Sequence, residues 1–187
     1  MLNLAGGPQL GHARMNCTVP FFRGFRRSSP PGRPRRNWPG GPAPPSGTPG
    51  QASLSGRVTF AVTDASGPRI SGRFDLVAIF EGLHDMPRPA DALRVARRLL
   101  TPSGSGVIVD ELAADVFTAP ASDLERYQYD WSMVSCLPTA MGEPRTTATG
   151  AVMRPATLGQ YALQAGFGGV EVLPLQTETW RFYRLTP

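Results

Sequence analysis

The chain has 187 residues, nineteen arginines and no lysine, against fourteen acids, for a net charge of +5. That length suits one domain with an appendage, and no stretch approaches the ~18–20 consecutive apolar residues that a membrane-spanning helix needs. The positive charge is uneven: residues 1–56 hold seven Arg and no acid, whereas 57–187 hold twelve Arg and fourteen acids, so the net charge belongs to the leader, says little about the partner of the globular part, and gives no ground to expect nucleic acid.

Residues 1–56 contain ten Pro and ten Gly. The tract SSPPGRPRRNWPGGPAPPSGTPGQ has no period and few apolar side chains, so it cannot bury enough surface to offset its ordering entropy. A disordered leader over 1–56 is expected, followed by a folded domain over 57–187. The leader lacks the apolar core of a secretory signal, and its prolines would break the amphipathic helix of a transit peptide. A soluble, cytoplasmic protein is expected. Its two cysteines, Cys17 and Cys136, have no zinc-type spacing and are expected to be free thiols.

Order is expected from Arg57. RVTFAV (57–62) alternates and is rich in β-branched residues, which predicts a short strand ending near Asp64. FDLVAIF (74–80) predicts a second strand, buried on both faces, that stops abruptly at Glu81, Gly82, His84 and Asp85. Pro89 suits the first turn of a helix over about 90–100, with Leu93, Ala96 and Leu100 on one face and Arg94, Arg97 and Arg98 mostly opposite. Gly104-Ser105-Gly106 turns the chain into VIVDEL (107–112), a third strand with an acidic end; strand, helix and strand together make a βαβ unit with parallel strands.

Residues 122–136 predict a helix with Leu124, Tyr127, Trp131 and Val134 along one side, and 156–165 another, with Leu158, Tyr161 and Ala162 inward and Gly166 as its stop. VEVLPL (170–175) and WRFYRL (180–185), four residues apart, predict an antiparallel hairpin.

Three strands therefore end in acid: at Asp64, at Glu81 and at Asp110-Glu111. In open α/β sheets, ligands bind beyond the carboxyl ends of the strands. The apolar half of FDLVAIFEGLHDM then reads as sheet core and its polar half as the lip of a site rich in hydrogen-bond acceptors. Solvated loop acids are the alternative.

In order and spacing, RVTF with Asp64-Ala65, FDLVAIFEGLHDM, ALRVARRLLTPSGSGVIVDE and LQAGFGGVEVLPL resemble the class I S-adenosylmethionine-dependent methyltransferases. More narrowly, the chain looks like a bacterial small-molecule methyltransferase domain of the type 12 or UbiE-like kind. The resemblance covers about 57–187, the second two-thirds of that domain. It implies an α/β fold, a partial Rossmann-like sheet with a C-terminal antiparallel hairpin, and S-adenosylmethionine as cofactor. Asp64 and Ala65 match the pair that meets the adenine ring, and Phe80 and Glu81 match the strand end beside the methionyl part. His84 and Asp85 match the segment facing the acceptor, with His84 as the candidate general base. Residues 113–154 correspond to the variable substrate cover, where Tyr127, Tyr129, Trp131 and Met133 are candidates for an apolar pocket wall or for core.

The chain departs from the family's pattern at its start. The glycine-rich loop and the acid that holds the ribose have no counterpart, since no acid precedes Asp64. The family's sheet order, 3-2-1-4-5-7-6, would then leave the strand at 74–80 an edge and the one at 57–62 without its neighbour. A reading-frame error over 1–56 would give the Arg, Pro, Gly, Ala and Ser seen there. The readings are methyl transfer to a small molecule, impaired in this chain, or a non-catalytic remnant with a basic arm. A dinucleotide-binding oxidoreductase is disfavoured because its glycine fingerprint is also absent.

Overall fold

The computed structural model describes residues 2–3, 17–22, 58–67, 71–143 and 145–187. The architecture is α/β, built on one sheet ordered β3-β2-β1-β4-β5-β7-β6. Its strands are β1 (Leu2–Asn3), β2 (Cys17–Phe22), β3 (Val58–Thr63), β4 (Phe74–Phe80), β5 (Leu100–Glu111), β6 (Gly169–Val172) and β7 (Trp180–Thr186). The sheet is mixed. β4 pairs in parallel with β1 and with β5, while β2 runs antiparallel to both β1 and β3. β3 therefore points the same way as β4 and β5, and all three present their carboxyl ends on one rim.

The expectation of unpaired strands at 57–62 and 74–80 is corrected here. Val58–Thr63 pairs along its whole length with Cys17–Phe22, and Leu2 and Asn3 lie beside Val77 and Ala78. Two pieces of the stretch expected to be disordered are thus strands, and the rest of that stretch lies outside the described residues. Backbone N–H and C=O groups must find partners when buried, and a neighbouring strand supplies them at once.

The βαβ unit forms as expected. α1 (Pro89–Leu99) starts with proline at its first turn and buries Ala92, Leu93, Val95, Ala96 and Leu99, while Arg94 and Arg98 stay exposed. There is no loop after it, because β5 begins directly at Leu100. Its register with β4 jumps from Phe74↔Leu100 to Leu76↔Ser105, so the residues around Pro102 form a bulge. A proline, which lacks a ladder donor, is tolerated there. α4 (Pro155–Ala165) packs beside α1, burying Leu158, Tyr161, Ala162 and Ala165, and Gly166 closes it at φ +89°. Arg97 donates to the Gly166 carbonyl at 3.1 Å and ties the two helices together at that end. A single core of Val77, Ile79, Leu93, Leu99, Ile108, Leu158, Tyr183 and Leu185, among others, joins both helices to the sheet. The expected C-terminal hairpin is present as β6–β7, with β7 also flanking β5.

The segment 122–136 is where the sequence reading turns over. It forms α2 (Asp123–Trp131), capped by the Ser122 hydroxyl accepting from Glu125 N–H, then a π-helical turn (Ser132–Cys136), then α3 (Leu137–Met141). The expected apolar face is outside: Tyr127, Trp131 and Val134 are 63%, 53% and 73% exposed. Glu125, Gln128, Ser132 and Cys136 are buried instead. Each of these polar groups has a specific partner. Glu125 pairs with Arg154, Gln128 donates to Glu111 and the Leu112 carbonyl, and the Ser132 hydroxyl accepts from Ala151 N–H at 3.0 Å. Buried polar groups are tolerated when they are bonded, and here those bonds decide which face turns inward.

Candidate functional site

The site begins where β4 ends. Phe80 is 37% exposed, and Glu81, also exposed, adopts φ +47°, a left-handed conformation that costs a non-glycine residue about 1–2 kcal/mol. Its N–H still donates to the Val109 carbonyl at 2.8 Å, so the turn is locked to β5. Leu83 and Met86 plug back into the core, with Met86 N–H donating to the Leu83 carbonyl. Between these two anchors the chain holds His84, which is only 4% exposed.

The imidazole lies between two carboxylates. Its Nδ1 is 2.5 Å from Oδ1 of Asp110, which is fully buried at the end of β5, and its Nε2 is 3.3 Å from Oδ1 of Asp85. Asp110 Oδ1 also accepts from Glu111 N–H at 2.9 Å, which fixes the carboxylate in place. Strand alternation sends Asp110 inward and leaves its neighbour Glu111 half-buried on the other side, where Gln128 donates to it at 3.1 Å. Cys136, delivered by the π-helical turn, completes the group: its Sγ, an Asp85 oxygen and a His84 nitrogen all lie within 4.8 Å of one another. The buried oxygens Asp85 Oδ1, Asp110 Oδ2 and Gln128 Oε1 accept no hydrogen bond from any described residue.

The electrostatics favour positive charge. Burial is the largest single influence on His84 and opposes a charged imidazole. Only the hydrogen bond to Asp110, the one to Cys136 and the charges of Asp110 and Asp85, taken together, outweigh it, and the His84 pKa rises to about 11. Burial raises the pKa of Glu81, with His84 pulling against it and Asp110 and Asp85 adding to it. Burial likewise raises that of Glu111, and the Cys136 thiol is pushed up for the same reason. Even with His84 protonated, four carboxyl groups surround one cation.

Asp64 sits apart from this group but on the same rim. Its Oδ1 accepts from the Ser66 N–H at 2.9 Å and hydroxyl at 2.6 Å. Arg88, on the loop that follows His84, is 3.7 Å from Asp64 Oδ2 and donates to the Ser66 hydroxyl at 3.2 Å. Ala65 is buried in the core cluster that includes Leu83 and Met86. Glu81, Asp110 and Glu111 thus lie close enough for their charges to act on one another, whereas Asp64 is paired with Arg88 on the same rim.

Of the candidate pocket residues, Tyr127, Trp131 and Met133 stand exposed, so neither a pocket wall nor core describes them. Only Tyr129 turns inward, accepting from Arg154 at 3.1 Å and meeting Phe117 edge-on at 6.5 Å. The sequence reading missed the partnership of His84 with Asp110 and the arrival of Cys136. The first left a trace, since Asp110 ends a strand parallel to and beside β4. The second left none, being set by the π-helical turn.

No protein-family model and no curated protein matches the chain. Among solved structures it is similar to an O-methyltransferase family protein from Burkholderia thailandensis, at 19% identity over 72% of this chain and 37% of that one, with a TM-score of 0.54. LaPhzM and PigF, the latter solved with SAH, match at 17% identity over 68% and 66% of this chain and 34% of each of theirs, with TM-scores of 0.49 and 0.45. The chain spans about a third of the length of these structures. What it shares with the first of them is the α/β fold.

Proposed function

We propose that this chain carries the catalytic half of an S-adenosylmethionine-dependent methyltransferase acting on a small molecule, with its site along the carboxyl ends of β3, β4 and β5. One observation carries the reading. The His84–Asp110 pair is built into a rim of Glu81, Asp85 and Glu111, which places a proton-handling group inside a lip that favours a cation. The likeness in fold to an O-methyltransferase family protein supports it. The narrower kinship, with the type 12 or UbiE-like domains, rests on the sequence motifs, as does a cytoplasmic location. Among the described residues no helix is long and apolar enough to cross a membrane.

The donor set fits the cationic part of that cofactor: the charges of Asp85 and Asp110 both act on Glu81, and Asp110 Oδ2 is an acceptor without a partner among the described residues. Asp64 Oδ2 is the acceptor assigned to the adenine amine, beside the small buried Ala65, and Phe80 with Glu81 is assigned to the methionyl end. A ribose-binding acid has no counterpart among the described residues. When bound, the cofactor supplies an electrophilic methyl group for in-line displacement, a reaction governed by positioning and local charge.

His84 is assigned the acceptor's proton. Asp110 fixes the ring through Nδ1 and leaves Nε2 toward Asp85 and the crevice. At rest the high pKa keeps that nitrogen protonated. A cation entering the lip opposes the imidazolium and lowers its pKa toward the working range of a base.

Isothermal calorimetry of the full chain with S-adenosylmethionine is the test. Binding that weakens in Glu81→Gln supports the reading. A folded sample that gives no heat overturns it and leaves the non-catalytic remnant.

A further inference from the structure

We propose that His84, Asp85 and Cys136 form a binding site for a divalent transition metal, with zinc the best-suited ion. One ligand atom from each lies within 4.8 Å of the other two. Ligands around a tetrahedral zinc, at ~2.0–2.3 Å from the ion, are separated by roughly 3.3–3.8 Å. The 3.3 Å between His84 Nε2 and Asp85 Oδ1 already meets that spacing, and Cys136 has to approach by about an ångström or less.

Three further observations point to a cation at this place. Asp85 Oδ1 is buried without a well-aligned hydrogen bond, facing His84 Nε2 at 3.3 Å and the Cys136 thiol. The other nitrogen of His84 is held at 2.5 Å by the Asp110 carboxylate, the arrangement that orients a metal-binding imidazole and raises its basicity. Glu81, Asp110 and Glu111 add negative charge around the three ligands, and their mutual repulsion is relieved by a cation. The mixed nitrogen, oxygen and sulfur donors select zinc or cobalt over magnesium or calcium, which prefer oxygen alone.

No spacing rule reveals this site, because Cys136 is fifty-one residues beyond Asp85 in the chain. The π-helical turn Ser132–Cys136 brings it in, continuing the buried line Glu125, Gln128, Ser132. Such turns are frequent at functional sites. Three protein ligands would leave a fourth position of a tetrahedral ion open. A hydroxyl bound there has its pKa lowered by the ion. His84 would then be a ligand through Nε2, so the proton-handling role proposed for it belongs to the metal-free protein. Metal binding itself does not depend on the methyl-transfer reading.

Chelator-treated full-length protein titrated with Co²⁺ tests the proposal without any methyl donor. The expected result is one equivalent bound, with the visible bands of a tetrahedral site and a thiolate-to-cobalt charge-transfer band in the near ultraviolet. Cys136→Ser removes that band, and Asp110→Asn weakens zinc affinity by ~10–100-fold while keeping it. Asp85→Asn, at a partly exposed side chain, serves where Cys136→Ser does not fold, and is expected to lower affinity at least as much. A folded protein that takes up no cobalt, or binds it equally well in Cys136→Ser or Asp85→Asn, overturns the proposal. Calorimetry with S-adenosylmethionine on the metal-free protein reads the other hypothesis separately.

Discussion

Replacing Asp110 by Asn tests the electrostatic heart of the site. In the native fold the His84 pKa is raised from 6.5 to about 11, so between those two values the folded protein holds a proton that the unfolded chain has released. The sign follows from that difference. The stabilisation is fully present below pH 6.5, declines as pH rises, and is gone above about 11. One proton bound in excess by the native state gives a slope of ~1.4 kcal/mol per pH unit, or about 2 kcal/mol lost between pH 7 and 8.5. The phenols titrate above that window and the thiols only begin to ionise toward its upper end, and the slope depends on the count of protons and not on the height of the pKa.

Asn keeps the shape of Asp110 and the bond from Glu111 N–H but removes the charge that offsets burial of the imidazolium. Most of the slope is therefore expected to vanish in the variant, with Asp85 and Cys136 sustaining what is left. Urea unfolding at several pH values, with chelator present, measures it. Across pH 7–8.5 the wild type should lose about 2 kcal/mol and Asp110→Asn less than roughly half of that. Equal pH dependence in the two proteins would refute the charged pair.

Two further substitutions probe how the site is supported. Arg154→Ala removes the partner of Glu125, which is only 3% exposed, together with bonds to the Ala114 carbonyl and the Tyr129 hydroxyl; it should cost about 3–5 kcal/mol in denaturant unfolding, because a buried charge is left alone. Arg184→Ala, which breaks the half-exposed pair with Glu171, should cost less than ~1 kcal/mol. Gly150 sits at φ +73°, and an added Cβ would lie 2.0 Å from the Ser132 hydroxyl. Gly150→Ala should therefore destabilise by about 2–4 kcal/mol. Gly159→Ala, within α4 and with open space around it, should stabilise by ~0.5–1 kcal/mol in the same assay.

The sequence by itself determined the local elements and the rim. Alternation and β-branching gave β3 and β4, proline and the apolar stripe gave α1, and the acids at strand ends marked the rim on which the candidate site is placed. These are local properties: a strand's period and a helix's first turn are written in neighbouring residues. His84 was legible as a candidate for the same reason, standing just past a buried strand. Only the tertiary structure decided what His84 touches. Asp110 reaches it because β4 and β5 are parallel neighbours in a fixed register, and a shift of one residue would have turned that carboxylate away.

The inward face of α2 was beyond the sequence altogether. Periodicity favoured Tyr127, Trp131 and Val134, yet Glu125, Gln128 and Ser132 are inside because Arg154, Glu111 and Ala151 await them. Burial there is settled by hydrogen-bond partners supplied from distant segments, and no pattern along one helix records where those partners are. Cys136 follows that same line into the site, so a helix turned by its polar partners is what brings the thiol beside His84 and Asp85.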